Sequence, residues 1–388
     1  MDNEVLQAAW EGFQIVFSWP YIIYPVVGTL LAMAFALLPG LTGAALMALA
    51  IPLTVNWDPM AIMLLFGAFL GGATFMGSVS AILFNIPGRP SNAASLLDGH
   101  PLAQAGLART AIGCSASASA LGSTFGIIIL VLAIPIMREI LLAFGPLEVL
   151  LLVIWGLTSI AALTEGAIVK SFIATGVGLL VSFVGLDPLT AEPRFTMGIE
   201  WLESGLSLVP VFLGLYALAE IFSLMRQQRP TIARAVNSMG GSVREGVTVP
   251  FRYPWLFLRA LSIGTLIGMI PGIGGTVASF VAYGHAAQSV KDNSRFGQGD
   301  IRGLLAPEAA NDAKDGGALV PTLAFGIPGG TGTAMLLAVL MLHGLEPGRE
   351  ILGSQLTFVF ILMWSLFLSN WLTSILGLSI ITPLARLT

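Results

Sequence analysis

The chain reads as an all-α, polytopic integral membrane protein with two inverted-topology repeats and broken transmembrane helices, and three observations lead there. The first is composition: of 388 residues 56% are hydrophobic and only 10% charged, with a mean hydropathy of +0.88, whereas soluble domains carry about a quarter charged residues. The second is run length. Stretches such as "LLLVIWGLTSIAAL" and "TFVFILMWSLFLSNWLTSILGLSII" are too long and too apolar for core helices, and about twenty such residues cross the hydrocarbon layer. No period-two alternation of the kind a transmembrane barrel needs is visible. The third is self-similarity. "LLPGLTGA" at 37–44 matches "MIPGIGGT" at 269–276, and "LFNIPGRPSNAA" at 83–94 matches "AFGIPGGTGTAM" at 324–335, in the same order in each half.

Apolar spans fall at about 20–37, 41–55, 59–86, 110–136, 146–164, 166–184, 205–225, 256–285, 318–342 and 354–381, the third and eighth with breaks. They divide the chain into a first repeat at 1–136, connecting transmembrane helices at 137–225, a cytoplasmic loop at 226–258, a second repeat at 259–350 and a C-terminal helix at 351–388. Charge suggests their orientation. The stretch from Arg226 to Arg259 holds six arginines against the lone acid Glu245, which places it in the cytoplasm by the positive-inside rule. The loop from Asp187 to Glu203 has four acids and only Arg194, and is expected outside. The first Lys or Arg is Arg89, so the first half starts from an acidic, external terminus while the second starts from the basic loop. That is the charge pattern of inverted repeats. The start, "MDNEVLQAAWEG", has no basic region of a cleavable signal peptide. The single Cys114 excludes a disulfide framework and reads as a small buried apolar residue.

Within a span, Pro328 removes a backbone donor, while Gly326, Gly329, Gly330 and Gly332 weaken helix. Irregular backbone is tolerated in a membrane only where it is buried in protein or lines a cavity. The half-helix that follows presents free N–H groups and about half a positive charge, which suits an anion. Pro328, Gly329, Gly330, Thr331 and Thr333 are therefore candidate substrate ligands, paired with Asn85, Pro87, Gly88, Arg89, Ser91 and Asn92 in the first half. A proline kink with glycines for packing is the alternative for any one element. Arg89 either forks onto a substrate carboxylate or caps the cytoplasmic end of its broken helix. Gly40, Gly43, Gly272, Gly274, Gly275 and Thr276, at the Pro-Gly-x-x-Gly tips, could offer carbonyls to a coupling cation. Gly264, Gly268 and Gly272 also mark a packing face.

Glu308 and Asn311 in "PEAANDAKDGG" are oxygen donors for sodium or a proton relay, or simply solvated groups. For Asp312 and Asp315, beside Lys314, the solvated reading is preferred. Asp98 and His100 read as a polar interfacial turn. "SASASALGSTFG" at 115–126 is a small-residue packing face whose hydroxyls could otherwise line a path. Histidines at 100, 285 and 343 lie far apart, and no H-E-x-x-H, C-x-x-C, G-x-S-x-G or Walker motif occurs, so an enzyme or nucleotide-driven pump is not expected. A passive anion channel is the runner-up to a carrier.

"GTLIGMIPGIGGTVASFVAYGHAAQ", "APEAANDAKDGGALVPTLAFGIPGGTGTAMLLAVLMLHGLEPG" and "NIPGRPSNAASLLDGHPLAQAG" together resemble the large membrane subunit of tripartite tricarboxylate transporters, from about Gly28 to Gly348. The resemblance implies an ion-gradient-driven symport permease for carboxylates in the bacterial inner membrane, coupled to sodium or protons and without other cofactors. It implies two partners, a small second membrane subunit and a periplasmic solute-binding protein. Arg89-Pro90 after the first "NIPG", where a small or polar residue is usual, and "EAANDA" in place of "EAANNA" depart from the family pattern and point to a shifted substrate range. The family usually continues through further hydrophobic segments, so a truncated or short form is expected.

Overall fold

The structure is a computed structural model that describes residues 3–37, 43–162, 168–187, 190, 192–206, 210–211, 213–219, 222, 225 and 240–384. It is 77% helical. The exception to an all-helical chain among the described residues is an antiparallel ribbon of two two-residue strands, β1 (Gly185–Leu186) and β2 (Pro193–Arg194). Asp187 and Arg194 pair beside it.

The first half begins with α1 (Asn3–Val16), which the apolar reading did not include as an element. Val5, Ala8, Gly12 and Val16 form its buried stripe at helical spacing. The stripe meets the last helix, α17 (Leu356–Leu384): the Trp364 indole donates to Ala9 O at 3.0 Å, and its ring lies 5.2 Å from that of Phe13. Then follow α2 (Ile23–Leu37), α3 (Gly43–Leu53), α4 (Pro59–Gly72) and α5 (Thr74–Phe84). Asp58 caps α4, accepting from Ala61 N at 3.3 Å, with Pro59 at the first turn where its missing N–H costs nothing. Apolar all round, α4 is buried almost throughout, and so is α5, which carries Thr74, Ser78 and Ser80 among its apolar residues. After an irregular segment come α6 (Ala93–Leu102) and the long α7 (Ala108–Ala143), joined across Gly106 at φ 82°. Helices α8 (Pro146–Ala162), α9 (Ile168–Ser182) and the short α10 (Glu200–Glu203) follow, with a π-helical segment at Leu213–Leu218.

Of the expected loop at 226–258, residues 226–239 lie outside the described residues. The described remainder carries two short helices, α11 (Val243–Val247) and α12 (Val249–Arg252), before α13 (Pro254–Gly268). They pack closely on α7, where a β-carbon on Gly113 would lie 2.5 Å from Val243 O. Next are α14 (Gly274–Ser289), α15 (Ile301–Phe325) and α16 (Thr331–Leu342).

Helix α15 begins well before the apolar span expected from position 318. Its polar N-terminal part is packed rather than exposed because small residues surround it. Gly122 on α7 leaves only 2.8 Å between an added β-carbon and Ala309 O, and Gly126 only 2.5 Å to Ala313 O. On the other flank Gly264 and Gly268 of α13 abut the backbone of Ala310 and Lys314, so the small-residue face read from the sequence packs here. Asp300 starts α15, accepting from Arg302 N at 2.9 Å. Burial works against the Asp300 charge, but the Arg302 hydrogen bonds and charge outweigh it and hold that carboxyl below its usual range.

Three helices among the described residues are long and apolar enough to cross a membrane: 59–84, 90–143 and 356–380. Five shorter apolar helices accompany them. The chain is a helical membrane protein.

Candidate functional site

Helix α5 stops because Asn85 takes the left-handed conformation, φ 57°, with its N–H still bonded to Ala81 O at 3.1 Å. Asparagine is among the few residues with a side chain that accept this geometry cheaply. Pro87 then offers no donor, Gly88 N–H reaches Gly77 O at 3.2 Å, and the chain re-enters helix through a single turn at Pro90–Asn92. Arg89 Nη1 donates to Thr74 Oγ1 at 2.8 Å. The fully buried Asn92 amide donates to Ser78 Oγ at 2.7 Å and to Thr74 O at 3.3 Å. These bonds pin 85–92 against α5.

Helix α15 stops in the same manner. Gly326, at φ 66°, bonds Thr322 O at 3.1 Å, and Gly329 N–H reaches Thr322 Oγ1 at 3.4 Å. Thr333 accepts from Gly330 N–H at 3.0 Å and steadies the start of α16.

The two irregular segments and the α13–α14 turn open onto one cavity of about 160 Å³. From the first half it is lined by Arg89, Pro90 and Ser91; from the turn by Gly272, Gly274, Gly275 and Thr276; from the second segment by Gly329, Gly330, Thr331 and Thr333. Asn85, Pro87, Gly88, Asn92 and Pro328 do not line it: they shape the backbone that does. Gly43 instead packs on Ala73, 3.1 Å from an added β-carbon, and Gly40 lies outside the described residues.

Several sequence readings need correction. Lys314 and Asp315, taken as solvated, are each 7% exposed, pair with each other and line the cavity. The stem of Lys314 passes over Gly275, where any side chain would collide with it. Asp312 is fully buried and accepts from Ser119 Oγ at 2.7 Å. Glu308, also fully buried, accepts from Ser95 and, at 2.5 Å, from Ser115 Oγ. Asn311 is 1% exposed, with neither side-chain polar atom bonded. The reason these charges stay out of water is the run of glycines and alanines on α7 and α13 that closes over α15. Asp98 and His100 are likewise buried in α6 rather than in an interfacial turn. Asp98 accepts from Gly299 N and Asp300 N, both at 2.8 Å, and so anchors the entry to α15. A sequence signal for the acids existed: 308, 312 and 315 are spaced i, i+4, i+7, one helical face, and Ser115 and Ser119 match it on α7.

Comparison with known proteins decides the family. A family model described as the tripartite tricarboxylate transporter TctA family matches residues 22–388. The chain belongs to this family. The TctA family is one of transport proteins rather than enzymes, which fits a helical membrane chain. A relative from Agrobacterium vitis, described as an uncharacterized 52.8 kDa protein in the TAR-I ttuC' 3'region, is 30% identical over 380 residues, 97% of this chain and 74% of its own length. A second from the same organism, an uncharacterized protein in the TAR-II ttuC' 3'region, is 34% identical over 124 residues, 32% of this chain and 50% of its own. No solved structure matches.

Proposed function

We propose that this TctA-family chain is the large permease subunit of an ion-gradient-driven carboxylate uptake system in the bacterial inner membrane, working with a small membrane subunit and a periplasmic solute-binding protein. The observation that carries the reading is the convergence of both Ile-Pro-Gly segments and the second Pro-Gly-x-x-Gly turn on one polar cavity. A carboxylate there would meet Arg89, the hydroxyls of Ser91, Thr331 and Thr333, and the N-terminal amides of α14 and α16.

The architecture we infer is two inverted repeats, 1–136 and 259–350, linked by 137–225 and the 226–258 segment and closed by 351–388. Contacts that recur at matched positions support it. A β-carbon on Gly88 would lie 2.5 Å from Gly77 Cα and 3.0 Å from Ala36 O; on Gly329 it would lie 2.8 Å from Ala318 Cα and 3.1 Å from Gly268 O. Under the sequence alignment Gly77 matches Ala318 and Ala36 matches Gly268. Alternating access then arises from one group of helices moving against the other around the cavity. Glu308 and Asn311, with the carbonyls of Gly272, Gly274, Gly275 and Thr276, are the groups we assign to the coupling sodium ion or proton.

The test is uptake of labelled carboxylates into proteoliposomes holding both membrane subunits, with the binding protein outside and a sodium or proton gradient imposed. Accumulation above the external level is expected. Equilibration without accumulation would make the protein a passive anion channel, and no uptake of any carboxylate would end the reading.

A further inference from the structure

The charges facing the cavity are unequal in a way that names the substrate's charge. Arg89 is bonded to Thr74 and to no carboxylate among the described residues. Lys314 is paired with Asp315, whose second oxygen, Oδ2, is buried and unbonded; Ser91 Oγ, on the cavity wall, is likewise buried and unbonded. Formally the lining holds Arg89 and Lys314 against Asp315, a net charge of +1. The N-termini of α14 and α16, at Gly274 and Thr331, each add about half a positive charge, and the C-terminus of α13, at Gly268 on the same wall, removes about half. Without a coupling cation the sum is about +1.5.

We propose, on the reading of this cavity as the carboxylate site, that it selects short dicarboxylates, with Lys314 as a second cationic ligand that Asp315 holds in place until substrate arrives. One carboxylate takes Arg89 and the start of α16. The other takes Lys314, whose ammonium has three donors and can serve Asp315 and the substrate together. The size agrees: a cavity of about 150 Å³ holds a benzene-sized guest, and 160 Å³ takes a four- or five-carbon diacid. A tricarboxylate would leave about 1.5 negative charges uncompensated inside the membrane, against about half a charge for a dicarboxylate. The sequence positions this second cation where Gly275 alone leaves room for its stem.

The test is equilibrium binding of labelled acetate, succinate and citrate to the purified full chain in nanodiscs. Succinate is expected to bind at least about tenfold tighter than either other acid, the worth of one charge-assisted contact. Removing Lys314 alone strands a buried Asp315, so the variant to use is the double substitution Lys314→Met with Asp315→Asn, which keeps volume and formal net charge. In that variant, confirmed folded by its unfolding midpoint, the succinate-to-acetate affinity ratio is expected to fall about tenfold. An unchanged ratio, or citrate binding tighter than succinate in the unsubstituted protein, would overturn the dicarboxylate assignment while leaving a carboxylate site intact. Binding of none of the three acids would instead remove the cavity's role itself.

Discussion

The Ile-Pro-Gly segment after α5 and the one after α15 make the same backbone turn from different residues. One uses Asn85 at φ 57°, the other Gly326 at φ 66°, and each places its next glycine, Gly88 or Gly329, against neighbouring backbone. Their side chains diverge. The first segment brings a guanidinium at Arg89, whereas the matched position in the second is Gly330, with Lys314 and Asp315 supplied from the helix before it. The helical seams diverge similarly. Ser365 and Ser369 of α17 bond the backbone carbonyls of Leu64 and Ala68 on α4, the latter at 2.9 Å. On the other side Ser115 and Ser119 of α7 bond carboxylates, Glu308 and Asp312. The lesson is that geometry repeats because close backbone approach is a steric demand, while charge is free to differ between halves once the cavity is formed.

The largest effect tests the shared backbone. Gly88→Val and Gly329→Val should each destabilise by about 3 kcal/mol through overpacking and abolish uptake. Proteoliposome flux and detergent-titration unfolding would measure both, and tolerance at only one site would break the equivalence. The seams come next. Ser115→Ala should cost about 2 kcal/mol, since a hydrogen bond to a buried carboxylate is lost, against about 0.5 kcal/mol for Ser365→Ala, whose carbonyl partner stays in its own helix. Equal losses in unfolding titrations would argue that the two seams are energetically alike. A smaller effect sharpens the turn comparison: Gly326→Ala should cost about 1 kcal/mol because of the left-handed backbone, while Asn85→Gly should change stability by less than about 0.5 kcal/mol. Smallest is the exposed pair of Glu4 and Arg138 at 3.2 Å. Glu4→Gln should shift stability by under about 0.5 kcal/mol, and less in high salt.

Much of the cavity was legible because its makers are helix breakers. Pro87, Gly88, Pro328 and Gly329 interrupt apolar runs, and the duplication of that pattern in "NIPG" and "GIPG" announces two matched helix ends in one dimension. Lys314 and Asp315 were misjudged for a physical reason. A charge beside other charges looks solvated in sequence, and only neighbouring helices can say otherwise. Here Gly268 and Gly317 let α13 close on α15, and Gly275 leaves a channel for the lysine stem. Asp98 misled in the same way, because its partners, the amides of Gly299 and Asp300, are some two hundred residues away along the chain.

By itself the sequence determined the membrane class, the helical architecture and where α5 and α15 end, since hydropathy, proline and glycine act locally on each segment. Tertiary structure alone decided which polar groups face the cavity, that Glu308 and Asp312 bond serines of α7, and that a lysine joins the cavity wall. Those outcomes depend on which distant helices come within reach of one another, and burial of a charge is a property of that company rather than of the residue.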